Sequence, residues 1–320
     1  MESIVRNGKR NVTLWRSACG CGFLVLLAAC LVAFAPAGGH ADSSARLLVD
    51  QAGRQVAVPA DPVRVVALAP SVTEIIFELG EQRRLRGVTQ FSDYPPPARD
   101  LPKVGSYVKL DLERIVSLNP DLCIAIKDGN PIRTVERIEA LAIPVYAVDP
   151  RDLNGVINAI GEIGVLLNAG PKAENLVNNL RSRIDRVESR VKNLDHRPGV
   201  FFQIGIKPIV AVGTHSFSNE LIVMAGGRNL TAGPVAYPRF NVEQVLDFNP
   251  EVIVITTMAR EGGFEEARDA WTQWGQIPAV KNRRVHVVDS DLYNRPGPRL
   301  VAGLEQLASL LHPELFGENP

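Results

Sequence analysis

The side chains of this 320-residue chain that could meet a ligand sit mostly in loops. Phe91 and Tyr94 flank a proline-rich stretch, Ser92-Asp93-Tyr94-Pro95-Pro96-Pro97. Tyr107 follows Gly105-Ser106, Tyr237 comes shortly after Gly233-Pro234, and Asp291, Tyr293 and Arg295 share one short segment ahead of Pro296. Aromatic faces beside an arginine suit a large flat ligand edged with amides or carboxylates. The expected positions, next to strand ends, are where open α/β sheets hold ligands.

Two glutamates occupy matched places. Asp111-Leu-Glu113-Arg-Ile-Val-Ser-Leu-Asn119-Pro120 leads into Asp121-Leu-Cys-Ile-Ala-Ile126, and Asn241-Val-Glu243-Gln-Val-Leu-Asp-Phe-Asn249-Pro250 leads into Glu251-Val-Ile-Val-Ile-Thr256. Each copy reads as a short helix, an Asn-Pro break and a buried strand, since proline disfavours helix at the residue before it. Glu113 and Glu243 fall in the first helical turn, where the helix dipole favours a carboxylate. Their equivalence points to docking on a partner with two similar halves. Glu74 and Glu220, matched less cleanly, read as first-turn charges.

Enzyme chemistry finds little support. His196, His215, His286 and His312 form no i,i+3 or i,i+4 pair, so no metal cage is set up. No Gly-x-Ser-x-Gly, P-loop or dinucleotide glycine motif occurs. An extracytoplasmic enzyme or sensor would need a constellation that the spacing does not supply. Equal totals of 35 basic and 35 acidic residues exclude a nucleic-acid binder by charge.

The elements that must position these residues alternate in type. Apolar runs without alternation, such as Arg64–Leu68, Val145–Val148, Val200–Gln203 and Val252–Thr256, suit parallel strands covered on both faces. Helices are expected over 71–80, capped by Ser71 or Thr73, and over 132–141, 152–167 and 298–311. One long helix over 171–194 carries a narrow apolar stripe and, at 1.5 Å per residue, spans roughly 35 Å. The predicted fold is therefore α/β, with two lobes of mainly parallel sheet, one long rigid helix between them and a ligand cleft between the lobes. Ser216 through Gly226 resembles Ser71 through Gly80, which extends the internal repeat. Trp271 and Trp274 read as packing residues.

Arg6, Lys9, Arg10 and Arg16 precede an apolar run from Cys21 to Phe34, and Gly39-His-Ala41 offers a cleavage site, the pattern of a secretory signal. Cys30, in Leu27-Ala-Ala-Cys30, is the alternative as a lipidation site, although apolar residues continue after it. The predicted divisions are 1–41 signal peptide, 42–168 N-terminal lobe, 169–197 interlobe helix and 198–320 C-terminal lobe. Removal of residues 1–41 leaves 31 basic and 34 acidic residues. Cys123 is then the sole cysteine and is expected to be a small buried apolar residue.

Arg64-Val-Val-Ala-Leu-Ala-Pro-Ser71, Ser92-Asp93-Tyr94-Pro95-Pro96, Val104-Gly105-Ser106, Leu112-Glu113-Arg114-Ile115-Val116 and Asn119-Pro120-Asp121-Leu122 resemble the substrate-binding proteins of vitamin B12, iron-siderophore and haem ABC importers. The resemblance implies a periplasmic or membrane-anchored monomer on the outer face of the cytoplasmic membrane, with no catalytic role and no resident cofactor. It implies capture of a metal-chelate ligand and delivery to an ABC permease dimer with its ATPase subunits. Contacts to a corrinoid carry over to Phe91, Tyr107, Tyr237, Asp291 and Arg295, while Lys127 and Val210 replace aromatic residues of the family. Glu113 and Glu243 correspond to its permease-docking glutamates. Haem or a ferric siderophore is the alternative cargo, with the Tyr107 phenolate as a ligand to ferric iron. A single long helix between the lobes implies only modest lobe closure.

Overall fold

A computed structural model describes residues 45–256 and 264–317. The predicted signal peptide, its cleavage site and Cys30 lie outside the described residues. The N-terminal lobe opens with a hairpin, β1 (Arg46–Val49) and β2 (Gln55–Val58). It continues through β3 (Val65–Ala67), α1 (Pro70–Glu78), β4 (Leu85–Val88), α2 (Leu112–Ser117), β5 (Leu122–Ile126), α3 (Ile132–Glu139), β6 (Val145–Val148) and α4 (Leu153–Leu166). Strands β4-β3-β5-β6 form an all-parallel sheet, as the unalternating apolar runs require.

Helix α5 (Gly170–Val191) leads to the C-terminal lobe. There follow β7 (Gly199–Gly205), β8 (Ile209–Ala211), α6 (Phe217–Met224), β9 (Arg228–Asn229), β10 (Arg239–Phe240), α7 (Val242–Phe248), β11 (Val252–Ile255) and α8 (Phe264–Thr272). The lobe closes with α9 (Pro278–Lys281), β12 (Val285–Val287), α10 (Asp291–Asn294), α11 (Leu300–Leu311) and α12 (Pro313–Phe316). Strands β9, β7, β11 and β12 pair in parallel, whereas β8 and β10 pair antiparallel on one side. The two residues of β10 are too few to be read from periodicity.

One hydrophobic core crosses between the lobes. Ile160 and Ile163 of α4, Leu180 and Val187 of α5, and Leu304 and Leu307 of α11 belong to the same buried cluster. The stripe on α5 thus packs against a helix of each lobe, and Arg183 adds a two-pronged bond to Glu305 of α11 at 3.0 and 2.6 Å. Trp271 is buried and its indole donates to Gln203 at 2.8 Å, a packing role as expected. Cys123 is buried and unpaired, and burial raises its thiol to about 12.

The repeated segment is real at the level of backbone. Asp111 and Asn241 each cap the short helix by accepting from the amide three residues on, at 3.1 and 2.8 Å. Asn119 and Asn249 then turn the chain with φ of +46° and +50°, a left-handed conformation that asparagine tolerates. The break is thus sharper than proline alone would impose. One expectation fails: α1 begins at Ala69 with no side-chain cap, because Pro70 occupies its first turn. Ser71 and Thr73 are buried instead, and the Thr73 hydroxyl bonds back to the Ala69 carbonyl and to Ser92.

The second copy carries a full capping box, in which Gln244 also accepts from the Asn241 amide at 2.9 Å. Replacing Asn241 by Ala should therefore cost about 1 kcal/mol of stability, and Ser should restore most of it. Urea denaturation of the two variants checks this; an unchanged midpoint for Asn241→Ala would show that the cap carries no weight.

Candidate functional site

A cleft of about 1710 Å³ lies between the lobes, larger than the roughly 300–1,000 Å³ common for small-molecule sites. Its walls are the loops that follow the strands. Ala69–Ser71 follow β3, Ile126 and Asp128 close β5, Pro150–Asp152 follow β6, and Val288–Asp291 follow β12. Thr214–Phe217 follow β8 and enter α6. Parallel strands end together at one edge, so their loops converge there.

Phe91 and Tyr107 form an aromatic pair on the N-terminal wall, with centroids 6.0 Å apart and planes at 62°. Buried Asn130 fixes that loop: its amide donates to the carbonyls of Tyr107 and Leu68, both at 2.8 Å, and its oxygen accepts from the Ile126 amide at 2.8 Å. Gly105, at φ +90°, makes the tight turn ahead of Tyr107, where a Cβ would lie 2.4 Å from the Lys109 carbonyl. Tyr237 faces the cleft from the other lobe and is 57% exposed, so its ring is largely uncovered. The Gly213 amide anchors its loop by donating to the Ala236 carbonyl at 2.8 Å.

At one end of the cleft the lobes are joined by ions. Glu74 of α1, only 2% exposed, receives two bonds from Arg299 at 2.9 and 2.7 Å and one from Arg295 at 3.2 Å. Arg295 also reaches Asp93 at 3.0 Å and Asp291 at 2.8 Å, and Arg299 stacks on the Tyr94 ring at 4.0 Å. Burial raises the Asp291 carboxyl above its ordinary range, with Asp289 and Asp93 adding repulsion. On a second link, Glu220 of α6 accepts from the Leu153 amide at the start of α4, at 2.9 Å. Burial raises Glu220 as well. The two glutamates read as first-turn charges therefore each make an interlobe contact, one donated by each lobe.

Phe91, Tyr107, Tyr237, Asp291 and Arg295 all line the cleft. Two expected contacts do not. Tyr293 is fully buried, packs on Phe202 and donates its hydroxyl to Gln306 at 2.8 Å, because α10 turns that side chain into the C-terminal core. Lys127 lies outside the lining: its ammonium pairs with Asp149 at 2.9 Å, while its neighbours Ile126 and Asp128 face the cleft. Val210 is likewise absent from the walls and sits in the β8–β10 pairing. Glu113 and Glu243 are exposed, and neither makes an ion pair among the described residues. Sequence reasoning missed Asp128, Arg151, Asp152, His215 and Asp289 as wall residues. Their signal was position alone, immediately after strand ends. Among the described residues, no group of three His, Cys, Asp or Glu could hold a metal ion, and no helix is long and apolar enough to cross a membrane.

This arrangement of two lobes around an aromatic cleft has known counterparts. The chain belongs to the periplasmic binding protein family, whose model matches residues 65–292. An uncharacterized ABC transporter substrate-binding lipoprotein, YvrC, of Bacillus subtilis is 30% identical, over 97% of this chain and 100% of its own. The crystal structure of the periplasmic vitamin B12 binding protein BtuF of Vibrio cholerae aligns with TM-score 0.67 at 30% identity, covering 79% of this chain and 98% of that one. A periplasmic heme-binding protein from Pseudomonas aeruginosa aligns with TM-score 0.71 at 26% identity, covering 79% and 94%. The chain is a substrate-binding component of the ABC importers that handle vitamin B12, haem and iron siderophores, a family that works with a permease and its ATPase.

Glu74→Gln should lower stability by about 3 kcal/mol, because it removes a buried carboxylate that both nearly buried guanidiniums share. A denaturation midpoint close to that of the parent would show that the cluster is not needed. Tyr293→Phe should lose about 1 kcal/mol of stability and leave ligand affinity unchanged. A weakened affinity with unchanged stability would return Tyr293 to the site.

Proposed function

We propose that the protein captures a corrinoid in the interlobe cleft and hands it to a membrane permease. The observation that carries this reading is the pairing of opposed aromatic faces with one immobilised arginine. Phe91 and Tyr107 stand on one wall, Tyr237 on the other, and Arg295 is held at the cleft by three carboxylates. Stacking on a broad ring and hydrogen bonds at its rim supply the affinity, with no protein ligand to cobalt. The similarity to the vitamin B12 binding protein supports that choice of cargo.

Haem is the second reading, favoured by the similarity to the heme-binding protein and by the Tyr107 phenol in the cleft wall. Ferric siderophores would share the same cleft. Delivery rests on Glu113 and Glu243, exposed at equivalent places on the first turns of α2 and α7. They would dock as a pair on cationic residues of a permease with two similar halves. The chain is proposed to be exported, with residues 1–41 removed, and to act as a monomer outside the cytoplasmic membrane. The naming of one relative as a lipoprotein keeps Cys30 as the alternative anchor.

Calorimetric titration with cyanocobalamin and hemin tests the cargo. Tyr107→Ala and Tyr237→Ala should each weaken cyanocobalamin binding by about 1–3 kcal/mol through lost stacking area. Parental affinity in both variants would remove the cleft assignment. Glu113→Arg combined with Glu243→Arg should leave binding intact and abolish uptake by cells; normal uptake would sink the docking role.

A further inference from the structure

The cleft is lopsided in charge. Among the described residues of its walls, six carboxylates (Asp93, Asp128, Asp152, Glu220, Asp289 and Asp291) stand against two guanidiniums, Arg151 and Arg295. Both cations already have partners. Arg295 is shared among Glu74, Asp93 and Asp291, and Arg151 pairs with Asp149 at 3.0 Å. Charged groups immediately behind the wall offset one another, Glu74 against Arg299 and Asp149 against Lys127. His215 aside, the walls hold four more carboxylates than guanidiniums. Burial raises two of them, Glu220 and Asp291, with smaller pushes from Asp152 on the first and from Asp289 and Asp93 on the second, the latter opposed by Arg295.

Affinity and choice then have separate sources. The faces of Phe91, Tyr107 and Tyr237 attract any broad ring and are indifferent to what surrounds it. A ring edged with carboxylates would face these wall carboxylates with no unengaged guanidinium to offset them. A ring edged with primary amides instead offers N–H donors to those same oxygens, in charge-assisted hydrogen bonds. Specificity is the difference between these two outcomes.

We infer that the cleft selects its cargo by charge, accepting broad rings edged by amides or bearing positive charge and rejecting rings of the same size edged by carboxylates. This rests on the corrinoid reading and narrows it. Amidated corrins qualify, whereas tetrapyrroles with free propionates and carboxylate-rich iron chelates do not.

Two corrins that share a ring and differ at its rim provide the test. Diaquacobinamide is cationic and amide-edged; cobyrinic acid carries carboxylates in place of the amides. Each is titrated calorimetrically into the purified protein at about 0.01 M and about 0.15 M salt, where the screening length falls from about 30 to about 8 Å. The amidated corrin should bind at least about tenfold more tightly at low salt, and the gap should narrow at the higher salt. In the double variant Asp128→Asn/Asp289→Asn, whose two side chains are exposed, the carboxylated corrin should gain at least about threefold. Equal affinities for the two corrins would overturn the charge rule and leave corrin capture standing. A gap that ignores both salt and the double variant would assign the choice to shape and overturn the rule as well. If neither corrin binds, whether or not hemin does, the corrinoid reading falls and this inference falls with it.

Discussion

The structure turns on one buried carboxylate. Glu74 lies on the first helix of the N-terminal lobe, yet the cations that neutralise it, Arg295 and Arg299, belong to the C-terminal lobe. Burying a carboxylate to 2% exposure is costly without such partners. Parting the lobes would separate Glu74 from both arginines, so the ion cluster works as a clamp rather than a surface decoration. Glu220 makes a lighter link in the opposite sense, accepting a single backbone amide at the start of α4. Helix α5 adds a third tie, packing against helices of both lobes.

The same cluster shapes the site. Arg295 is both a clamp residue and part of the cleft wall, and its donors are largely spent on Glu74, Asp93 and Asp291. What the wall offers a ligand is therefore aromatic surface and carboxylate oxygens, not free positive charge. Symmetry sets the outside of the molecule and asymmetry sets the inside. Glu113 and Glu243 sit on near-identical cap–helix–turn–strand units, which suits an equal pair of contacts with a partner. Phe91 and Tyr107 form a ring-to-ring pair, where the other lobe presents Phe217 and the more exposed Tyr237.

Much of this was legible in the sequence. The central strands appear as unbroken apolar runs because helices cover both faces of each sheet, and the α5 stripe appears because its residues recur at helical spacing. Phe91, Tyr107, Tyr237, Asp291 and Arg295, which line the cleft, stood out as aromatic, acidic and arginine residues in turn-rich segments. Tyr293 shared that appearance but faces inward, since a four-residue helix decides its direction and no period of that length can be read. Lys127 failed for a related reason: it leaves the end of β5 away from the cleft, next to two residues that face it. Glu74 was legible as a residue but not as a clamp, because its partners lie 221 and 225 positions along the chain. Isolated acids past strand ends, such as Asp128 and Asp289, carry no pattern at all until the strands are laid side by side.

A clamp of this kind makes one demand on the behaviour of the whole molecule: the cleft must already be near its working shape. Small-angle X-ray scattering of the protein, with and without saturating cyanocobalamin, tests that demand most directly. The account expects nearly superimposable profiles, with ligand causing only a slight closure. A rotation of the lobes by many tens of degrees on binding would contradict it, because Glu74 could not then keep both of its arginines.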